Sequence, residues 1–268
     1  MLHSVFALIL SAIHLLYSAW TMMKHSWIFV VRQYKSAVNN YSGKEELNQI
    51  LNSVKRLNKI PAHLAIIIVN EKISYNDLAN IVIWCIAARI SCLSLYDHTG
   101  VLKKNEVKLH AALLEKWKEP PVIWGKAPLK NGISKGNGYS NGVSSNADRN
   151  IKEHFALQVL LLAPNEGREA FTTATRHICD SVLSGVLKVS SINEEFFEEE
   201  LRLGTKEKPI FDPELAVWCG KYCCNCGFLP WHIRVTQFLH LNTHHDVRIE
   251  DFFSLLEKYS KCEQRFGK

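Results

Sequence analysis

Residues 262–268 read Cys-Glu-Gln-Arg-Phe-Gly-Lys, and two of them could hold an anion. Arg265 carries a planar guanidinium that matches phosphate oxygens two at a time. Gly267 would let backbone N–H groups approach such a ligand closely. On residue type alone the same segment also reads as a solvent-facing tail. Asp97-His98, just after an apolar run, could do acid–base work, but no nucleophile is identifiable beside it. Capping a strand end is the commoner use of such a pair. Glu71 could ligate a metal, although a single carboxylate in a turn is ordinarily just solvated. Cys219, Cys223, Cys224 and Cys226, with His232, invite a zinc reading. One Cys-x3-Cys spacing fits a knuckle, but the second pair is crowded, and separate packing or loop roles are favoured. Thr243-His244-His245-Asp246 likewise reads as a polar loop before a ligand set.

Composition narrows the partners. A net charge of +6 in 268 residues is mildly basic and lacks the concentrated patch of a nucleic-acid binder. It suits anionic lipid or phosphate without requiring either. Four of the eight cysteines, Cys85, Cys92, Cys179 and Cys262, are scattered without disulfide-framework spacing, so free thiols in a reducing compartment are expected.

The elements that must position these groups fall into three stretches. Leu2 to Met23 contains no Lys, Arg, Asp or Glu and is long enough to cross a bilayer. Lys24, Arg32 and Lys35 follow it, which favours a retained anchor over a cleaved signal and puts that flank on the cytoplasmic side. Asn40-Tyr41-Ser42 would be glycosylated only if the topology were reversed. Residues 1–35 are therefore the expected anchor with its basic flank. Residues 36–60 form an amphipathic connector in which Leu47, Ile50, Leu51, Val54 and Leu57 recur at helical spacing. It could pack on the following domain or lie on a membrane.

Residues 61–268 alternate strand and helix. The buried-strand candidates are Leu64–Val69, Cys92–Asp97 and Phe155–Ala163. A helix opening at Ser74 with Asp77 as its capping partner, a run from Gly100 to Trp117, and a helix over about 166–187 separate or follow them. The fold class is α/β with a parallel sheet flanked by helices. Working groups should then lie at the carboxyl ends of the strands. The first such place is Val69-Asn70-Glu71-Lys72, which lacks the glycines of a phosphate loop. Residues from about 119 to 150 are rich in Gly, Asn, Ser and Lys and read as an inserted loop. Glu194–Glu200, interrupted by Phe196 and Phe197, reads as a helix with one buried face.

Five blocks together resemble one family: Ile60–Ile68, Val82–Gly100, Gly227–Leu241, Glu250–Lys268 and the apolar N-terminal segment. They are similar to the Nogo-B receptor family, the accessory subunits of the eukaryotic cis-prenyltransferase that makes dehydrodolichyl diphosphate. The resemblance implies an undecaprenyl-diphosphate-synthase-like fold and a catalytic cis-prenyltransferase subunit as partner, in a heterodimer or larger assembly. In catalytic relatives the first strand ends on an aspartate serving Mg2+ and the allylic diphosphate; here Val69 takes its place. The arginines that precede the Phe-Leu-x-Trp block in those relatives are also missing. The resemblance thus implies no catalytic residue of its own, with Mg2+ held by the partner. It implies that Arg265 and Gly267 reach into that partner's site to help bind isopentenyl diphosphate. Trp231, His232 and Arg234 would adjoin the subunit interface, or form a plain core pair with a neighbour. The implied setting is the endoplasmic reticulum membrane, with the C-terminal domain cytosolic and dolichol synthesis for protein glycosylation as the outcome. A membrane-tethered receptor or scaffold using the fold only for binding is the alternative.

Overall fold

The computed structural model describes residues 2–38, 51–125, 155–203 and 210–263. The chain divides into two compact units, Met1–Glu46 and Leu47–Lys268. The sequon at Asn40, most of the residues 119–150 insertion, and Arg265 and Gly267 lie outside the described residues.

The first unit is one helix, α1 (Leu2–Val38). Leu8, Ile9 and Leu10, and again Leu15, Leu16 and Tyr17, are all at least half exposed, so its apolar side chains point all round the axis. No single stripe is marked out for packing against a core. Among the described residues, no helix is long and apolar enough to cross a membrane.

In the second unit the apolar runs become β1 (His63–Ile68), β2 (Cys92–Asp97) and β4 (Leu157–Leu162). Every residue of β1 and β2 is buried. Both faces of the sheet are covered, which is why these strands show no polar alternation. Three further strands complete the sheet: β3 (Val122–Trp124), β5 (Leu215–Cys219) and β6 (Gln237–Leu241). All pairings are parallel, in the order β3-β4-β2-β1-β5-β6. β3 falls inside the stretch expected to be a loop, a correction that follows from its pairing to β4 at the sheet edge. Three residues are too few to show a period.

The helices are α2 (Tyr75–Ala87), the single-turn α3 (Val101–Lys104), α4 (Glu106–Lys116), α5 (Arg168–Leu183), α6 (Glu194–Glu200) and α7 (Ile249–Ser260). Leu78, Ile81, Val82 and Cys85 of α2 are buried, as their spacing predicts. They pack with Leu64, Ile66 and Ile68 on one face of the sheet, together with Leu109 and Leu113 of α4 and Phe252, Leu255 and Leu256 of α7. Val54, Leu57 and Ile60 pack against this same core, so the described end of the connector belongs to the domain. The opposite face carries Ala65, Ile67 and Val69, covered by Leu203, Phe228 and Leu229. No residue of α6 is fully buried, so the buried face expected for the acidic run is only partial.

His63 pins the start of β1 between layers. Its ring lies 2.6 Å from the Phe211 carbonyl through Nδ1 and 2.7 Å from the Ser94 hydroxyl through Nε2. The consistent tautomer donates from Nδ1 to Phe211 and accepts from Ser94 at Nε2. Burial lowers its pKa from 6.5 to about 4, against the opposing pull of the Phe211 carbonyl. The unfolded chain takes up this proton below pH 6.5, whereas the folded ring stays neutral down to about pH 4. Stability is therefore lost as pH falls through that window, by roughly 1.4 kcal/mol per unit at most. Thermal melts between pH 7 and pH 5 should fall more steeply for the native chain than for His63→Gln, whatever the variant's absolute stability.

Candidate functional site

The topology itself marks the place to look. β1 has β2 on one side and β5 on the other, and the chain crosses from β4 over to β5, so the switch point lies between β1 and β5. In open parallel sheets that crevice, at the carboxyl ends, is where ligands bind. Here the strands stay paired through their carboxyl ends. The Val69 N–H donates to the Cys219 carbonyl at 2.8 Å, and the Gly220 N–H to the Leu241 carbonyl at 3.2 Å. Gly220 has φ +134, and a Cβ there would stand 2.3 Å from the Val69 oxygen. Only glycine permits that approach. The Val69 side chain is 4% exposed and belongs to the apolar core.

Glu71, two residues further on, is not the solvated carboxylate its turn position suggests. Its Oε2 accepts from the His244 backbone N–H at 3.1 Å and faces His244 Nδ1 at 2.7 Å. On the other side of the ring, His244 Nε2 accepts from the Ser74 N–H at 3.0 Å, which fixes the proton on Nδ1. Burial opposes ionisation of Glu71, but the bonds from His244 and Thr243 prevail and hold its carboxyl below the ordinary range. Glu71, His244 and His245 offer ligand atoms within 4.8 Å of one another. Both nitrogens of His244 are nevertheless committed, and His245 Nε2 lies 2.6 Å from the Lys72 carbonyl. The donor set is spent on hydrogen bonds, so it does not fit a divalent cation. It is a pin joining the β1 exit, the start of α2 and the segment after β6.

Asp97 is 2% exposed, and its carboxylate accepts from the N–H groups of Thr99, Val101 and Leu102 and from the Thr99 hydroxyl. Four donors leave nothing for acid–base work. His98 Nδ1 stands 3.9 Å away. The cysteines are placed separately. Cys219 is buried in β5 while Cys223 and Cys224 are exposed. The loop after β5 is tied just beyond Cys224, by Trp218 Nε1 to Asn225 at 2.8 Å and by Tyr96 OH to the Cys226 carbonyl at 2.7 Å. Among the described residues, no metal-sized cluster includes a cysteine.

The Gly-Phe-Leu-Pro-Trp block has a local logic. Gly227, at φ +82, turns its carbonyl onto the start of α5, where the Arg168 N–H donates to it at 2.8 Å. Phe228 then enters the core edge-on to Tyr96, with ring centroids 5.3 Å apart. Beyond it, His232 is 4% exposed and faces inward, whereas Trp231 is half-buried. Trp231 stacks on Phe197 at 5.6 Å and Phe171 at 6.3 Å, and its Nε1 donates to Glu198 at 2.9 Å. Arg234 lies over the Trp231 ring at 4.9 Å and pairs with Glu194 and Glu198. Sequence reading missed this cluster because its members come from α5, α6 and the loop before β6. The structure thus sets Trp231 and Arg234 at the surface and His232 behind them.

Asp212 lies under that cluster, and burial together with Glu198 raises its pKa to about 6, partly offset by Arg234. A raised carboxyl favours the folded state less as pH climbs from 3.8 through about 6. Asp212→Asn should therefore stabilise the fold at pH 7.5 by about 1 kcal/mol after discounting solvent screening, read as a higher melting temperature. The gain should vanish by pH 4.

α7 ends at the opposite pole. Tyr259 OH and the Ala62 N–H both donate to Glu214 Oε2, at 3.1 and 2.7 Å, just before β5 begins. Cys262 Sγ reaches Gln237, the first residue of β6, at 3.1 Å. Cys262 therefore lies at the amino ends of the strands.

No family model matches the chain. Curated relatives do. The human dehydrodolichyl diphosphate synthase complex subunit NUS1 is 32% identical over 219 residues, covering 80% of this chain and 69% of that protein. Its counterpart in Schizosaccharomyces pombe is 26% identical over 268 residues, covering 98% and 97%. The Saccharomyces cerevisiae counterpart is 28% identical over 255 residues, covering 87% and 66%. In structure, lavandulyl diphosphate synthase from Lavandula x intermedia, solved with dimethylallyl diphosphate, superposes at a TM-score of 0.54 and 18% identity over 78% of this chain and 99% of its own. That likeness shows the prenyl-synthase type of fold. The chain belongs to the NUS1 family of dehydrodolichyl diphosphate synthase complex subunits.

Proposed function

We propose that this chain is the non-catalytic, membrane-anchored subunit of a heteromeric cis-prenyltransferase. The assembly joins isopentenyl diphosphate to an allylic diphosphate to build the long-chain precursor of dolichol for protein glycosylation. The observation that carries this reading is at the β1 exit, where Val69 and Gly220 meet backbone to backbone and Glu71 is spent on His244. On this reading the β1 exit of this chain holds no cation. Mg2+ and the reacting carbons then belong to the catalytic partner, and this chain contributes the guanidinium of Arg265 and the backbone around Gly267. Their task is to hold the diphosphate of isopentenyl diphosphate, where a charge-assisted contact is worth about 1.5–3 kcal/mol.

Half-buried Trp231, in the α5–α6 aromatic stack, and exposed Arg234 over it form part of the partner-facing surface. α1 supplies the anchor, its apolar side chains meeting lipid all round, with the domain on the cytosolic side of the endoplasmic reticulum.

The test compares the purified chain, the catalytic partner and their complex in an elongation assay. The chain alone should elongate nothing. Arg265→Ala should lower kcat/KM for isopentenyl diphosphate by roughly ten- to hundredfold in an intact complex. Robust elongation by the lone chain, or full activity of the variant complex, would contradict the reading.

A further inference from the structure

Three thiols of the loop after β5 take no part in the proposed chemistry. Cys223 and Cys224 are exposed, Cys226 is half-buried, and all three are free. Cys224 and Cys226 are drawn together. The Cys226 N–H donates to Cys224 Sγ at 3.3 Å, and the two thiols are hydrogen-bonded to one another. Two residues of chain span at most about 7 Å, and disulfides bridge Cα atoms about 4.4–6.8 Å apart. The backbone bends here: Cys226 is left-handed at φ +50, and the Phe228 N–H donates to the Asn225 carbonyl at 2.8 Å. Trp218, bonded to Asn225, and Tyr96, bonded to the Cys226 carbonyl, hold this bend against the sheet. A structural zinc would need a third and a fourth ligand. Among the described residues, no group of three ligating side chains includes a cysteine. Two sulfurs in contact, one of them open to solvent, fit covalent thiol chemistry instead.

We propose that Cys224 and Cys226 form a reversible redox site, which small disulfides such as glutathione disulfide oxidise to a disulfide within the loop. Cys224 is the exposed sulfur and attacks first. Its bond to one glutathione sulfur forms, the S–S bond of the reagent breaks, and one glutathione leaves as a thiol with the Cys224 proton. The Cys226 sulfur then attacks Cys224, the mixed disulfide breaks, and the second glutathione leaves with the Cys226 proton. The protein dithiol loses two electrons and two hydrogens, which reduce one glutathione disulfide to two glutathiones. Burial and the Cys224 thiol push the Cys226 pKa up to about 11, which keeps that thiol protonated and suits it to the second step. A ring closed across one intervening residue is strained, and strained, exposed disulfides are the readily reduced ones. Such a bond suits a reducing compartment, where disulfides are transient. Nothing in this chemistry requires the partner's active site.

The test equilibrates the full chain with mixtures of glutathione and glutathione disulfide, traps free thiols by acid and alkylation, and maps them by peptide mass spectrometry. The peptide holding all three loop cysteines should keep one alkylatable thiol, on Cys223, and lose two hydrogens from Cys224 and Cys226. Dithiothreitol should restore both thiols. Doubling glutathione at fixed glutathione disulfide should lower the oxidised-to-reduced ratio about fourfold, because closing the ring releases two glutathiones. A mixed disulfide, the product expected at Cys179 on α5, responds only about twofold. Cys226→Ser should stop at a glutathione adduct on Cys224, and Cys223→Ser should leave ring closure intact. Four results in the native chain would each overturn the proposal: a twofold response at Cys224, a bond made by Cys223, a Cys224 adduct that persists in place of the ring, or a pair that stays reduced where Cys179 is modified.

Discussion

The centre of the sheet is organised around a contact between two backbones. β1 and β5 run side by side to their carboxyl ends and stay zipped one residue further, through the Val69 N–H and the Cys219 carbonyl. Gly220 then lies against the Val69 oxygen at a distance no side chain would allow. A parallel sheet with a topological switch normally opens at this spot, because the crossovers diverge to opposite faces. Here the divergence is bridged by the Glu71–His244–Ser74 pin, which draws the β1 exit and the segment after β6 together. The result is a synthase-like architecture in which the β1 exit is held by a close backbone contact and by that pin.

That contact separates the molecule into two poles with different work. The carboxyl pole is structural: Asp97 caps the turn into α3, Tyr96 and Trp218 tie down the cysteine-bearing loop, and the polar side chains are committed. The amino pole is where separate parts of the chain converge. Glu214 joins the start of β1 to Tyr259, and Lys59 and Gln237 meet at Cys262. Aromatic stacking at Trp231, bracketed by Arg234 and two glutamates, forms a third feature on the outer surface.

The legible parts of the sequence were those where one physical requirement acts locally. Leu64–Val69 and Cys92–Asp97 announce buried strands because both faces must be apolar. Leu78, Ile81, Val82 and Cys85 announce the buried face of α2 because the helical period repeats there. β5 and β6 were not evident: Leu215–Cys219 is short and runs into a glycine and a cysteine loop, and Gln237–Leu241 is an edge strand whose polar residues break the pattern. The Glu71–His244 pin joins residues 173 positions apart, so no local signal could reveal it. Glu71 looked solvated for that reason. The same non-locality hid Glu194 and Glu198 as partners of Arg234. Arg265 and Gly267 stood out by residue type, but their role came from family resemblance.

The most direct measurement is a structure of the assembled complex with isopentenyl diphosphate bound, read as the distance from the Arg265 guanidinium to the nearest diphosphate oxygen. The account requires hydrogen-bond contact, about 2.7–2.9 Å, with the diphosphate lying in the catalytic partner. A guanidinium standing in solvent well away from that diphosphate, or a substrate seated between β1 and β5 of this chain, would contradict it.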